Sequence, residues 1–502
     1  MRLSRRQLLG SIAAAACNAH AADAADIGSR KQLFIDRKWI RNARGVQLNV
    51  NPPQKDGIVL EGTVDWEKEH IGSYLSVIEH EGMLRMWYMA FAGKGGGRLC
   101  YATSSDGVHW QRPKLGLVEF QGSRENNIVL GSFREGAVML DPVAPPQERF
   151  KTLASYGGKR PSALGVSTIG SLMLMSSPDG IHWNRERQVL PFHPDSMNTL
   201  FWDQRIGKYA AYLRGWNPLR VAVRAEIARD QVWNTWPFQS GVTPRYLWSF
   251  LTKGTEVWPP AITKEMPTVI AADSSDPKNC DIYTPNVQPY PWADDVYLAF
   301  PSMFRHTAPP GSNGIPMAGV LDVQLAVSRD GITFLREDRR SYVSRGLPGD
   351  ADSHSIYMGL GLIRRGAYLY QYYAGGSTDH AASLKGRSAL MRAKQRLDGF
   401  VSVDATRSGG AFTTPPLIFR GKSLHLNIDA SALGTAMVEI LDAEGRPVKG
   451  FELEDCAPIT ANDVAFPVKW TGGKELSTLQ GKPVALRFLL ANAKLFAFQF
   501  AD

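Results

Sequence analysis

The chain has little cysteine, four residues in 502, and it contains neither a Cys-x-x-Cys nor a His-Glu-x-x-His pattern. The scarcity argues against a disulfide framework, and the missing patterns exclude the common zinc sites. Cys17 falls in the N-terminal leader, which leaves Cys100, Cys280 and Cys456, an odd and widely spaced set that reads as buried small apolar side chains. Runs of five or more like charges are also absent. The net charge of +9 therefore reads as a solvated basic surface; nucleic acid is not expected as a partner, and an acidic polysaccharide stays open. After the leader no apolar run approaches the about eighteen residues of a membrane-spanning helix. Amphipathic helical periodicity and low-complexity tracts are missing as well, so the chain reads as an all-β globular protein.

The leader, residues 1–24, carries Arg2, Arg5 and Arg6, then an Ala-rich apolar run, then small residues at Ala19, Ala21, Ala22 and Ala24 that fit a cleavage site. The order Ser4-Arg5-Arg6-Gln7-Leu8-Leu9 resembles a twin-arginine export signal, which implies a periplasmic or secreted protein.

What the chain has in place of helices is one phrase said three times. "YATSSDGVHW" (101–110), "LMSSPDGIHW" (174–183) and "LAVSRDGITF" (325–334) each read as a strand, a Ser-x-Asp-Gly turn and an aromatic that packs back. Weaker copies stand at Arg229-Asp230 and Asp398-Gly399. The turn aspartates Asp106, Asp179, Asp230, Asp330 and Asp398 lie about seventy residues apart on average, against roughly 40–45 for a WD40 blade, and long loops take up the excess. Five four-stranded units make a five-bladed β-propeller over 30–405, with the early "KQLFIDRKWI" closing the ring. After a Gly/Thr/Pro linker the alternation becomes that of a β-sandwich, placed at 408–502.

Five blades followed by a sandwich, the repeated turns and the step Leu140-Asp141-Pro142 resemble the clan of five-bladed glycoside hydrolases, which includes the invertase-like and arabinanase-like families. "QLFIDRKWI", "NNIVL", "RLDGFVSVDA" and "EILDAEGRPVKGFELEDC" are similar to marks of exported bacterial glycosyl hydrolase-like proteins over nearly the whole chain after the leader. The resemblance implies an exported glycoside hydrolase with carboxylates at the propeller hub and a carbohydrate substrate. It also implies that Asp141, in place of the Asp of an Arg-Asp-Pro step, positions the sugar. Leu140 stands where that step has Arg, and the clan's Asn-Asp-Pro-Asn-Gly and Glu-Cys motifs are absent. No cofactor is expected, apart from a divalent cation that several clan members hold at the hub.

Hydrolysis of a glycosidic bond needs one protonated and one ionised carboxyl group, and acids at the start of each inner strand would converge on the hub. Blade one offers Asp65, Glu67, Glu69 and His70, blade two Asp141, blade three Asp195, blade four Asp281, and blade five Asp352 and His354. The catalytic set is read as Glu69 (base or nucleophile), Asp141 (sugar-positioning) and Asp195 or Asp281 (general acid). His70, Arg214, Trp216, Asp352 and His354 are read as substrate-binding residues, Arg214 for a sugar carboxylate and Trp216 for ring stacking. The turn aspartates are assigned to structure. "GKGGGR" (93–98) runs into a strand and not a helix, so it reads as a rim hairpin loop and not a phosphate loop. Two other functions stay open: a carbohydrate-binding propeller without catalysis, and a lyase on the same scaffold.

Overall fold

The computed structural model describes residues 24–93, 96–133, 136–161, 167–190, 194–216, 219–237, 266–309 and 317–502, with the side chains of 155–161, 167–170 and 216 left aside. Strands and loops make up nearly all of it, and the described helical turns are short 3-10 segments. No described helix is long and apolar enough to cross a membrane. The chain divides into two compact units, one of 52–289 and 297–395, the other of 1–51, 290–296 and 396–502.

The first unit holds five antiparallel sheets in chain order. Sheet one orders His70–His80, Met83–Phe91, Arg98–Ser104 and Ile128–Leu130. Sheet two orders Val138–Leu140, Phe150–Pro161, Ser167–Ser177 and Arg185–Leu190, and sheet three orders Thr199–Asp203, Lys208–Trp216, Arg220–Ile227 and Thr268–Ile270. Sheet four is interrupted near Pro285 and Pro301, which cannot donate to a ladder. It runs as two three-stranded ladders, Cys280–Thr284, Ser302–His306, Gly319–Val323 and then Val287–Pro289, Tyr297–Ala299, Ala326–Ser328. Sheet five orders Ser355–Met358, Tyr368–Gly376, Ser388–Arg396 and, from before the first sheet, Gln54–Glu61.

Strands such as Met83–Phe91 are apolar almost throughout because neighbouring sheets cover both faces. Bonds between consecutive sheets run round a ring. Val138 N–H donates to Ser76 Oγ at 2.8 Å, Gly136 bridges Asn198, and Arg214 donates to the Tyr283 carbonyl at 2.6 Å. Leu321 N–H donates to the His354 carbonyl at 2.9 Å, and Leu360, following the fifth inner strand, exchanges bonds of 2.8 and 2.9 Å with Leu75 and Val77 of the first. The unit is a five-bladed β-propeller, as the turn count predicts.

The repeated turn has a second half that its own sequence does not contain. In each copy the Asp Oδ1 accepts two backbone N–H groups at 2.8 Å: Val108 and His109, Ile181 and His182, Ile332 and Thr333. The following glycine's carbonyl then accepts from an aromatic of the preceding blade. Tyr372 donates to Gly107 at 2.9 Å, Trp87 to Gly180 at 2.6 Å and Tyr212 to Gly331 at 2.7 Å. Each donor is the fifth residue of a nine-residue second strand. The turn is thus a latch between blades, and glycine is required by its positive φ of 76°, 79° and 71° and by the ring lying against it.

The second unit is a β-sandwich. One sheet orders Asn462–Pro467, Ser423–Asp429, Ala493–Ala501, Val401–Ala405 and Val46–Val50, and the other orders Arg41–Arg44, Gly410–Thr413, Ala485–Ala491 and Thr435–Leu441. The core packs Phe34 against Phe412 at 5.5 Å and Trp39 against Phe498 at 5.8 Å between ring centroids.

The boundaries of 30–405 and 408–502 read from the sequence are therefore corrected. The sandwich takes 24–51 and 290–296 of the described residues and resumes at Arg396. Gln32–Leu33 of "KQLFIDRKWI" pairs with Phe498 and Ala497, and Gln54–Glu61 supplies the outer strand of blade five instead. Local alternation marks a strand but not its partner more than three hundred residues away. Residues 1–23 of the leader lie outside the described residues.

A test of the latch compares two glycines of positive φ, Gly180 against the Trp87 ring and Gly207 with open space beside it. Gly207→Ala is expected to cost about 1–2 kcal/mol for its backbone conformation. Gly180→Ala is expected to cost about 1–3 kcal/mol more, because the methyl group overpacks the latch. Thermal unfolding midpoints that fall equally would show that the latch carries no weight.

Candidate active site

Inner strands run from one rim of the propeller to the other, so residues that precede them gather on one side. There lies a cavity of about 400 Å³, lined by Glu69, His70, Ser73 and Tyr74 of blade one, Tyr283 of blade four, and Tyr357, His380 and Leu384 of blade five. Three tyrosine rings from three blades form its wall, with Tyr357 at 6.1 Å from Tyr74 and 5.7 Å from Tyr283 between centroids.

Behind Tyr283 stands a buried guanidinium. Arg214 Nη1 is 2.7 Å from Asp195 Oδ2, and Nη2 donates to Ser196 Oγ at 2.8 Å. Nε also donates to the Tyr283 carbonyl at 3.1 Å, and the group lies 4.2 Å over the Tyr283 ring. Tyr74 donates its hydroxyl to the same Ser196. Asp195 sits at φ 73°, where an L-residue is held only by its surroundings.

Beside this pair lies a second. Arg220 Nη1 is 3.0 Å and His306 Nε2 3.3 Å from Asp281 Oδ2, and Asp281 is fully buried. Burial alone would raise its carboxyl, but Arg220 and His306 outweigh that and hold it below the ordinary carboxylate range. Glu69 is exposed at the cavity rim and accepts the Gly93 N–H at 2.8 Å. Among the described residues no cation pairs with it.

The two histidines on the cavity wall are kept neutral. Burial pushes His70 down to about 4, against a smaller opposing effect of the Ser383 backbone; its Nε2 lies 2.8 Å from Ser73 Oγ. Burial, then Arg220 and Arg214, push His380 down to about 4, opposed by Asp195 and Asp379. His380 Nδ1 lies 3.0 Å from the Tyr357 hydroxyl, and its ring packs 4.7 Å from Tyr283.

The structure brings Glu69, His70, Asp195, Asp281 and Arg214 to this end of the propeller and places the other candidates elsewhere. Asp141 follows the inner strand Val138–Leu140 and so belongs to the opposite rim. There it is buried with Lys151 Nζ at 2.7 Å and the Tyr209 hydroxyl at 2.6 Å, a structural ion pair and not a sugar-positioning group. Asp352 turns away to Lys55 Nζ at 2.6 Å and Tyr373 at 3.1 Å. His354 is half-buried, with its Nδ1 3.1 Å from Ser353 Oγ. Arg214 has its donors engaged by protein, which argues against the sugar-carboxylate role. The Trp216 side chain lies outside the described residues. Glu67 is buried under Arg112 and Tyr88, and Asp65 pairs with Lys68.

Sequence reasoning missed Tyr74, Tyr283, Tyr357 and His380. The tyrosines sit in strands that read as core, and His380 comes from the polar loop "STDHAAS", whose only signal is its place between the second and third strands of a blade. Among the described residues no group of three or more His, Cys, Asp and Glu side chains is gathered as for a metal ion.

No family model matches the chain, and no curated protein matches it. Solved structures do. It is similar to an N-acetylgalactosamine deacetylase from F. plautii, in complex with blood group B trisaccharide, at 13% identity over 70% of this chain and 96% of that one, TM-score 0.45. It is similar to an α-L-arabinofuranosidase from Podospora anserina at 12% identity over 69% and 98%, TM-score 0.42. A family 43 arabinoxylan arabinofuranohydrolase from Bacillus subtilis aligns at 11% identity over 88% and 96%, TM-score 0.37.

The two cavity histidines set a pH window. Each has a folded-state pKa near 4, below the ordinary 6.5 of the unfolded chain, so between those values the unfolded chain binds protons that the fold refuses. Their contribution is complete above about 6.5 and lost as pH falls toward 4, on the order of 3 kcal/mol each. Denaturant midpoints measured from pH 7 to 4.5 should fall, and less steeply in a His70→Gln/His380→Gln double variant. Parallel slopes in the two proteins would contradict this assignment.

Proposed function

We propose that the protein is a glycoside hydrolase whose reaction takes place in the hub cavity. The observation that carries this reading is two carboxyl groups with different partners at one end of the propeller, Glu69 on the cavity rim and Asp195 beside the Tyr74 and Tyr283 wall, joined to it through Ser196 and Arg214. Asp195 is clamped by the Arg214 guanidinium at 2.7 Å and is ionised. Glu69, at the rim, has a backbone N–H as its polar partner and no cation among the described residues.

Hydrolysis needs that division of labour. Glu69, which has no cation partner among the described residues, is the group that delivers a proton to the departing glycosidic oxygen. Asp195 is the ionised partner that attacks the anomeric carbon or draws a proton from the water that does. These roles reverse the sequence-based expectation, because a carboxylate clamped by arginine is a poor proton donor. Asp281, paired twice and fully buried, supports Arg220 and His306 and does not react. The alternative of a carbohydrate-binding propeller without catalysis draws on the same arginines, which hold two of the three hub acids ionised.

Sugar release by the mature protein across neutral and uronic-acid-containing glycans tests the reading. Glu69→Gln and Asp195→Asn should each lower the rate by about 10²–10⁴-fold. Asp141→Asn, on the opposite rim, should cost about 3–5 kcal/mol of stability by stranding Lys151 and leave the rate per folded molecule unchanged. Retained glycan binding without release from any glycan would favour the binding protein.

We also propose that residues 1–24 direct export to the periplasm or beyond. Arg5→Lys/Arg6→Lys should leave full-length protein in the cytoplasm, with the leader still present by mass spectrometry. Unchanged export and processing of that variant would point to an ordinary secretory signal.

A further inference from the structure

Among the cavity groups that take no part in the proposed hydrolysis is His380. His380 is half-buried in the loop between the second and third strands of blade five, with its ring edge-on to Tyr283 at 4.7 Å and Phe304 at 5.2 Å. One nitrogen, Nδ1, is 3.0 Å from the hydroxyl of Tyr357. That phenol is wholly buried, and burial keeps it protonated far beyond neutral pH. It is therefore the donor of the pair. Nδ1 accepts, and the imidazole proton must sit on Nε2. No described protein group takes up Nε2, while the side chain lines the cavity.

The charges around the cavity set what such a donor can meet. Arg214 and Arg220 lie near His380, but each has its own carboxylate, Asp195 at 2.7 Å and Asp281 at 3.0 Å. His306 shares Asp281 at 3.3 Å. Asp379, next to His380, accepts from Thr307 Oγ1 at 3.3 Å and from the Ala381 N–H at 2.9 Å. His70, across the cavity, bonds Ser73. At the mouth stands an acid, Glu69, which accepts the Gly93 N–H at 2.8 Å and has no cation partner among the described residues. Among the described residues the guanidinium groups are compensated, the wall imidazoles are neutral and the rim group is an acid, so none of them is a free cation for a sugar carboxylate. The cavity suits a ring that stacks a C–H face on tyrosine and presents hydroxyl oxygens to a neutral donor.

We infer that His380, oriented by Tyr357, is a substrate-binding residue that donates from Nε2 to a hydroxyl of an uncharged sugar ring in the hub cavity. This rests on the cavity being the carbohydrate site but not on catalysis, so a binding readout separates it from the hydrolase proposal. Protein labelled with ¹⁵N-histidine would be titrated with arabinose, xylose, galactose and glucose, and in parallel with galacturonate and glucuronate.

The free protein is expected to show an His380 imidazole protonated at Nε2, a pattern lost in Tyr357→Phe. At least one neutral sugar should shift that signal, and the uronates should not. His380→Phe, which keeps the ring packing, should weaken that sugar's binding about tenfold, the worth of about one hydrogen bond. His380→Gln, which keeps an N–H donor, should recover part of the loss. The inference is overturned by a proton found on Nδ1, by uronates binding as tightly as neutral sugars, by unchanged affinity in His380→Phe, or by no sugar moving the His380 signal. Loss of hydrolysis with these shifts intact would reject the hydrolase reading and leave this one standing.

Discussion

A guanidinium without water must be surrounded by acceptors, because an unpaired buried charge costs several kcal/mol. Arg214, 1% exposed, meets that demand by drawing on two blades at once: the Asp195 carboxylate and Ser196 hydroxyl at the start of blade three, and the Tyr283 carbonyl of blade four. Ser196 passes the link to Tyr74 of blade one. The cation thereby fixes the place of Asp195, the backbone beneath one aromatic wall and the tilt of another. The geometry of the cavity and the charge state of its clamped acid follow from the same constraint.

Further out, the blades are joined by a neutral interaction repeated with variations. A strand aromatic of one blade donates to the turn glycine of the next, and the pair needs both members. Where blade two carries Ala154 at the fifth position of Phe150–Pro161, blade three has Arg229-Asp230 without the glycine. Between blades four and five the contact is made by backbone and Asn286, whose amide donates to the Met358 carbonyl at 2.6 Å. The repeat in the sequence is thus a repeat of packing relations, and it lapses where the neighbour changes.

How much of the site could be read beforehand follows from which side of a strand each acid occupies. Glu69 and Asp195 precede inner strands, Asp281 is the second residue of Cys280–Thr284, and the three arrive together. Asp141 looks equivalent in sequence, yet it follows its strand by one residue, and that single step carries it to the other rim and into a Lys151 pair. Asp352 precedes its strand by three residues but meets Lys55 on the strand that returns from before the first blade. No local pattern around Asp352 contains that lysine. The tyrosines of the cavity wall were invisible for a different reason: a ring that lines a cavity and a ring that fills a core occupy the same place in an apolar strand.

The sequence by itself determined the all-β class, the number of blades and the conformation of their turns, because period-two alternation and Asp-Gly chemistry act within a few residues. It also marked Asp195, Asp281 and Glu69 by their position at strand starts. Only the tertiary structure decided that Gln54–Glu61 completes blade five, that 24–51 belongs with the sandwich, and that Arg214 holds an internal acid. It alone brought His380 against Tyr283 and Tyr357. Those outcomes depend on partners remote in the chain, and desolvation and pairing energies exist only after the chain has brought them together.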